Sequence, residues 1–389
     1  MLAYLFLITM KLVLLLELTD MIFNFTSENK SVKVKNKENK VKRRGPMSFK
    51  EEKREKIKLY ILEKIADGQT DFVAKTAEAF ETSLNTIYRY IRELEAENVI
   101  RKKDKKYVLV GNTELFGLKR SKGEVSEEDV IYSKCIAKYI KELPDNVERI
   151  WQYSFMEIMN NAIDHSMAEN VTLIVSQNIL NTTILIMDNG VGIFKKIKEY
   201  YNYDSLDIAV NELFKGKLTT DSKNHSGEGI FFTSRILDRF AAISDGKVFT
   251  HDKYRENLKN LEDLKGLEQF DFGKGTTVHM QLSNNSKKNL KEVFDMFADD
   301  DGGFTKTRIP VKNFFETYPV SRSQAKRLSN RFEAFQEIEL DFEGIDEIGQ
   351  GFAHELFVVF QRNHKNINLV PIHTTKDIDK MINHVKSGE

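Results

Sequence analysis

Beyond residue 47 the apolar positions first recur every three or four residues. Ile57, Tyr60, Ile61 and Ile65 make one stripe, so 50–66 reads as a helix that stops near Gly68. Phe72, Val73, Thr76, Ala77 and Phe80 give a second, short helix over 71–80. Ser83 can cap a third over 84–98, whose apolar face is Ile87, Tyr90, Ile91 and Leu94. The pattern then changes, and 99–110 reads as a two-stranded hairpin with a charged tip. Residues 127–143 and 146–166 return to the helical period, while 170–177 and 182–187 alternate as the arms of another hairpin. A long polar stretch over 194–226, with a helix near 205–214, leads to a helix over 230–240 and later a strand over 278–282. Towards the end, strands at 308–311, 337–342 and 367–372 alternate with helices at 321–335, 349–363 and 376–385. The pattern predicts a multidomain α+β chain with units at 48–112, 113–285 and 304–389 and a linker at 286–303.

Composition narrows the function classes. At 389 residues and 41% hydrophobic content, the chain can form two or three real cores. Lys plus Arg and Asp plus Glu are 59 each, so no global field favours nucleic acid and any such contact needs a local patch. Cys135 is the only cysteine, which excludes a disulfide framework or a thiolate metal cluster and fits a reducing, cytoplasmic setting. Residues 1–25 are mostly apolar, but Lys11, Glu17 and Asp20 interrupt them, short of the ~20 clean residues a spanning helix needs. They also lack the basic start and small-residue cleavage site of a signal peptide. Residues 27–44 are rich in Lys, Asn and Ser and read as disordered. Lys42-Arg-Arg-Gly before Met47 is what a purine-rich ribosome-binding stretch would encode. Translation is therefore expected to begin at Met47, leaving 1–46 as an upstream extension within a segment 1–47 that is otherwise disordered; a weak membrane anchor is the rival reading, and no membrane partner is expected.

Four segments carry chemistry. Glu157 and Asn161 are four apart, on one helical face. An asparagine amide oxygen is a hard ligand suited to Mg2+ on phosphates, and a carboxylate one turn earlier can activate a water or hydroxyl. Asp188 ends an apolar strand, where a carboxylate can accept from the exocyclic amine of adenine; guanine has a carbonyl there. Gly190 and Gly192 give tight backbone beside it. Gly227-Glu228-Gly229 opens a helix, whose free N–H groups suit phosphates. Thr277, in Gly275-Thr276-Thr277, could support the aspartate or the base through water. The connection over 194–226 reads as a lid. Taken singly, these are a polar surface helix, an Asp-Asn-Gly turn and a glycine loop; their order is what distinguishes them.

Together the segments resemble the Bergerat-fold ATP-binding domain of the GHKL superfamily, shared by gyrase B, Hsp90, histidine kinases and MutL. Glu157 and Asn161 match its N box, Asp188-Asn-Gly-Val-Gly192 its first glycine box, Gly227-Glu228-Gly229 its second and Gly275-Thr276-Thr277 its late threonine motif. The run from Glu157 through Asp164 to Ser166 is most similar to the anti-sigma-factor serine kinases. The resemblance covers roughly 130–285. It implies an α/β sandwich with a mixed or antiparallel sheet, ATP and Mg2+ as cofactors, and Asp164 among the nucleotide-site residues. No G-x-x-x-x-G-K-[ST] run is present, so a P-loop is excluded.

The flanking units have resemblances of their own. Residues 48–112 are similar to winged helix-turn-helix domains. Asn85, Thr86, Tyr88, Arg89 and Arg92 on the third helix could enter a major groove, with Arg101, Lys102, Lys103, Lys105 and Lys106 on phosphates. A protein-contact or dimerisation module with a solvated charged hairpin is the alternative. The run from Ile338 to Phe357 resembles the STAS-like domain of the DUF4325 type. Phosphorylated STAS antagonists start the helix after the strand with serine; Gly349-Gln350-Gly351 here has no hydroxyl. This unit is expected to dock a protein partner, and homodimerisation stays open. The leading expectation is an ATP-dependent regulator of DNA or partner binding that hydrolyses ATP slowly. The alternatives are a serine/threonine protein kinase acting on a separate partner and a non-enzymatic nucleotide-sensing scaffold.

Overall fold

The computed structural model describes residues 49–220, 227–251, 274–315 and 318–387. The readings of 1–48 and the last part of the lid, 221–226, lie outside the described residues.

Helices α1 (Phe49–Ala66), α2 (Phe72–Ala79) and α3 (Leu84–Ala96) precede an antiparallel pair, β1 (Ile100–Lys103) and β2 (Lys106–Leu109). Ser83 caps α3 by accepting from the Thr86 N–H at 3.2 Å. Ile57, Ile61, Ile87 and Ile91 close an apolar core of their own, and Leu180 from the next unit packs against it. Beside it Arg54 meets Glu93 at 2.7 Å, while buried Lys58 meets Glu93 at 3.3 Å and Glu97 at 3.0 Å. The acidic side of α3 is thereby held by α1.

Only Val110 separates β2 from β3 (Gly111–Lys119), so the first unit joins the second without a flexible linker. β3 is one edge of a six-stranded antiparallel sheet, ordered β3-β4-β5-β8-β6-β7. The other strands are β4 (Asn170–Asn178), β5 (Asn181–Asp188), β6 (Arg239–Ser244), β7 (Lys247–Thr250) and β8 (Thr276–Ser283). Val171 and Leu173 of β4, Ile184 and Ile186 of β5, and Val278 and Met280 of β8 share one apolar cluster with the helix layer. That layer contains α4 (Asp145–Asn160), α5 (Ile193–Tyr201), α6 (Leu206–Lys215) and α7 (Gly229–Ile236). α7 is shorter than the helix expected over 230–240: it ends at Ile236, and Phe240 already lies in β6. An apolar run buried on both sides has no period, so it reads as either element.

The stretch expected to be a linker holds α8 (Leu290–Asp295), whose Phe294 ring packs on Tyr153 at 5.3 Å and Phe232 at 4.4 Å. Three parallel strands follow, β9 (Lys306–Pro310), β10 (Glu337–Asp341) and β11 (Asn368–Ile372), ordered β11-β10-β9. With them are α9 (Arg322–Leu328), α10 (Gln350–His354), which continues as a wider π turn to Phe360, and α11 (Lys376–Ser387). The single helix expected over 321–335 is broken. α9 ends at Leu328, Arg331 takes a left-handed φ of 64°, and a 3-10 turn covers Phe332–Ala334. Gly349 lies against Val320, whose carbonyl a Cβ would meet at 2.6 Å, so tight packing explains that glycine. The apolar cluster under the six-stranded sheet runs on through Phe304, Ile309 and Phe332, so this last unit shares a core with the central one. No described helix is long and apolar enough to cross a membrane.

Candidate functional site

A cavity of 250 Å³ opens between the helix layer and the sheet. α4 brings Glu157 to it, and the helix then widens to a π turn over Asn161–His165. Such a wide turn often marks a functional position. Asn160, Asn161 and Ser166 also face the cavity. β5 contributes Ile186 and, at its exit, Asp188.

Asp188 is the unusual charge. Burial pushes its carboxyl up to about 6, against two backbone donors, Gly190 and Thr276, that favour the ionised form. The Gly190 N–H donates to Oδ1 at 2.9 Å. The Asp-Asn-Gly-Val-Gly loop is stitched to the turn that follows α4: Val191 N–H donates to the Ser166 carbonyl at 2.7 Å. A Cβ on Gly190 would stand 2.0 Å from that same carbonyl, so only glycine lets the two backbones approach this closely. Gly227 and Gly229 also line the cavity, where α7 begins. A Cβ on Gly229 would meet Glu157 Oε2 at 2.1 Å, which puts the start of α7 directly on the candidate base.

The structure therefore brings Glu157, Asn161, Asp188, Gly227 and Gly229 to one cavity. Gly190 and Gly192 shape its rim without lining it; Gly192 packs on the Asp245 carboxylate, which accepts from Lys195 N–H at 3.0 Å. Asp164 is exposed and Glu228 half-buried, and neither lines the cavity. Thr277 is a correction. Alternation along β8 turns it away with His279 and Gln281, while Thr276 faces the cavity beside Val278. The Thr276 hydroxyl accepts from Ile193 N–H at 3.1 Å. Lys196 is a further cavity residue the motifs did not single out; its ammonium donates to the His165 carbonyl at 2.9 Å.

The lining combines a buried carboxylate with apolar walls and a helix N-terminus with a carboxylate and an amide. Such a lining suits a nucleotide, the first part for a base and the second for phosphates. Residues 146–286 match the family model described as histidine kinase-, DNA gyrase B-, and HSP90-like ATPase. The central unit carries a GHKL ATPase domain. Beyond this GHKL domain, residues 324–379 match a STAS-like domain of unknown function (DUF4325). No curated protein and no solved structure matches the chain.

On the first unit, Asn85, Tyr88, Arg89 and Arg92 are exposed on α3, and Thr86 is half-buried. Arg101, Lys102, Lys103, Lys105 and Lys106 are exposed on the β1–β2 hairpin. These ten residues lie on one small unit and take no part in the GHKL cavity.

Proposed function

We propose that the chain is an ATP-dependent regulator that hydrolyses ATP slowly and uses the bound state to control DNA or partner binding. The observation that carries this is the single cavity joining Asp188 to Glu157, Asn161 and the N-terminus of α7. Asp188 accepts from the adenine amine, and Ile186 and Val278 wall the base. The Gly227–Gly229 backbone holds the phosphates. The donor set fits a magnesium ion, since Asn161 presents a neutral hard oxygen beside the phosphate end; the ion, when bound, neutralises phosphate charge. Glu157 takes the proton from the attacking water, and its position against Gly229 puts it at the phosphate end. Glu157→Ala is expected to slow phosphate release about a hundredfold or more. Incubation with γ-labelled ATP checks this: free phosphate is expected. Label on protein would favour the kinase reading, and neither product a nucleotide-sensing scaffold.

The first unit is read as a winged helix-turn-helix that binds DNA. Arg54 and Lys58 occupy Glu93 and Glu97, which leaves Arg89, Arg92 and the hairpin cations as the outward charge. The single-residue joint at Val110 gives the sheet a short route to this unit. Arg89→Ala with Arg92→Ala is expected to weaken DNA binding about tenfold or more at moderate salt. An unchanged mobility shift on random-sequence duplex would move the assignment to a protein-contact module. The missing hydroxyl at Gly349-Gln350-Gly351 supports a docking role for the STAS-like domain over self-phosphorylation.

A further inference from the structure

The segment that follows α6 is gripped by the STAS-like domain over three successive carbonyls. Thr307 Oγ1 donates to the Lys215 carbonyl at 2.7 Å. The Arg331 guanidinium donates to the Gly216 carbonyl at 2.9 Å and also to that of Lys217. Its other arm pairs with Glu212 at 2.9 Å, where Glu212 is 2% exposed and Arg331 16%. Contacts return from the other side: the Lys215 ammonium, fully buried beside Glu212, donates to the Asn330 carbonyl at 2.7 Å, and that of Lys217 to Ala334 at 2.9 Å. Burial lowers the Lys215 pKa while Glu212 opposes the shift, so the pair depends on its shared partners. The left-handed backbone at Arg331 aims this side chain across the domain boundary, a conformation a non-glycine residue holds only when its surroundings fix it.

The gripped segment is a wall of the nucleotide cavity. Gly216 and Leu218 line it, and Leu218 N–H donates to the Gly227 carbonyl at 3.1 Å. Gly227 is also close enough that a Cβ on it would meet the Leu218 backbone at 2.7 Å. The carbonyls held by Arg331 are therefore one or two residues from the phosphate end, while Asp188 stands at the base end.

We propose that Arg331, with Thr307, is a positioning residue for the phosphate end of the nucleotide site, so that STAS-domain docking and ATP affinity are reciprocally linked. The inference rests on the ATP reading above and adds which part of the chain senses the bound state. Linkage requires reciprocity: if docking tightens ATP binding, ATP tightens docking by the same factor. A ligand at the STAS-like domain that loosens the Arg331 contacts would then lower ATP affinity without touching the cavity.

The test uses the full chain and compares ATP with adenosine, which lacks the phosphate end. Arg331→Met should weaken ATP about tenfold or more and leave adenosine binding unchanged, because charged hydrogen bonds to the wall are lost and the base end is not. Thr307→Val keeps shape and removes one bond, so a loss of a few-fold in ATP alone is expected; it decides the matter if Arg331→Met fails to fold. In the parent chain ATP should slow amide exchange across 322–335, and in Arg331→Met it should not. ATP affinity unchanged in both variants overturns this inference alone. Equal losses for ATP and adenosine also overturn it, since they indicate general damage. A parent chain that binds no ATP overturns both this inference and the nucleotide reading.

Discussion

Replacing Asp188 by asparagine should weaken ATP binding by about a hundredfold, near 3 kcal/mol, with the fold retained. Asp188 already accepts from the Gly190 and Thr276 backbone N–H groups, and the adenine amine would be a further donor. An asparagine has one acceptor oxygen, and its amide nitrogen would face one of those donors with no lone pair to offer. The site would then lose a bond and leave a buried donor unpaired. Side-chain volume barely changes, and removing a charge that burial disfavours offsets the unpaired donor, so thermal unfolding of the empty protein should move little. The same group gives a pH signature. Its pKa is raised to about 6 by burial, and the ionised form is the better acceptor for the amine. Adenosine, which has no titrating phosphate, should therefore bind fully above pH 6 and lose affinity as the pH falls through it. That dependence should vanish in Asp188→Asn.

The second large effect is structural. Gly275→Ala places a Cβ 1.9 Å from the Asp188 carbonyl and 2.8 Å from its Oδ1, at a residue whose φ is +83°. Both obstacles are backbone or tightly held, so neither can yield as a flexible side-chain tip would. A left-handed alanine costs about 1 kcal/mol, and forcing atoms into a packed site about 1–3 more. A loss of about 2–4 kcal/mol is expected, together with loss of ATP binding, because the displaced group is Asp188 itself. Chemical denaturation of the empty chain checks the first part. An alanine variant with parental stability and affinity would mean that the β8 entry is not packed on Asp188.

The site was legible where chemistry dictates residue type and spacing. Glu157, Asn161 and Asp188 stand out in sequence because a base, a metal ligand and an adenine acceptor would each need a particular atom at a particular place, and all three line one cavity. Thr276 was readable too: Val278, Met280 and Leu282 mark the apolar face of β8, and Thr276 shares it while Thr277 does not. The α3 cap and the α1–α3 stripe followed directly from period and side-chain chemistry. Less was legible at the strands. β3 is an edge strand whose residues are mostly exposed, so alternation is weak, and β6 is buried on both sides and has no alternation. α8 looked like linker because an amphipathic helix of six residues has too few turns to show its stripe. The break at Asn330–Arg331 was hidden because 321–335 keeps a helical pattern on both sides of it. Its cause is tertiary, as Arg331 leaves the helix to reach Glu212 and the carbonyls beyond α6. The contact joining the two domains was therefore the least visible from sequence, since neither segment alone carries a motif for it.

The central claim is that one cavity reads adenine through Asp188 and holds phosphates at the start of α7. Calorimetric titration of the full chain with Mg·ATP and, separately, Mg·GTP tests it most directly. The account predicts one ATP per chain, GTP weaker by about tenfold or more because its carbonyl meets the carboxylate, and loss of the ATP signal in Asp188→Asn. Equal binding of the two nucleotides, or ATP binding that survives Asp188→Asn unchanged, would contradict it.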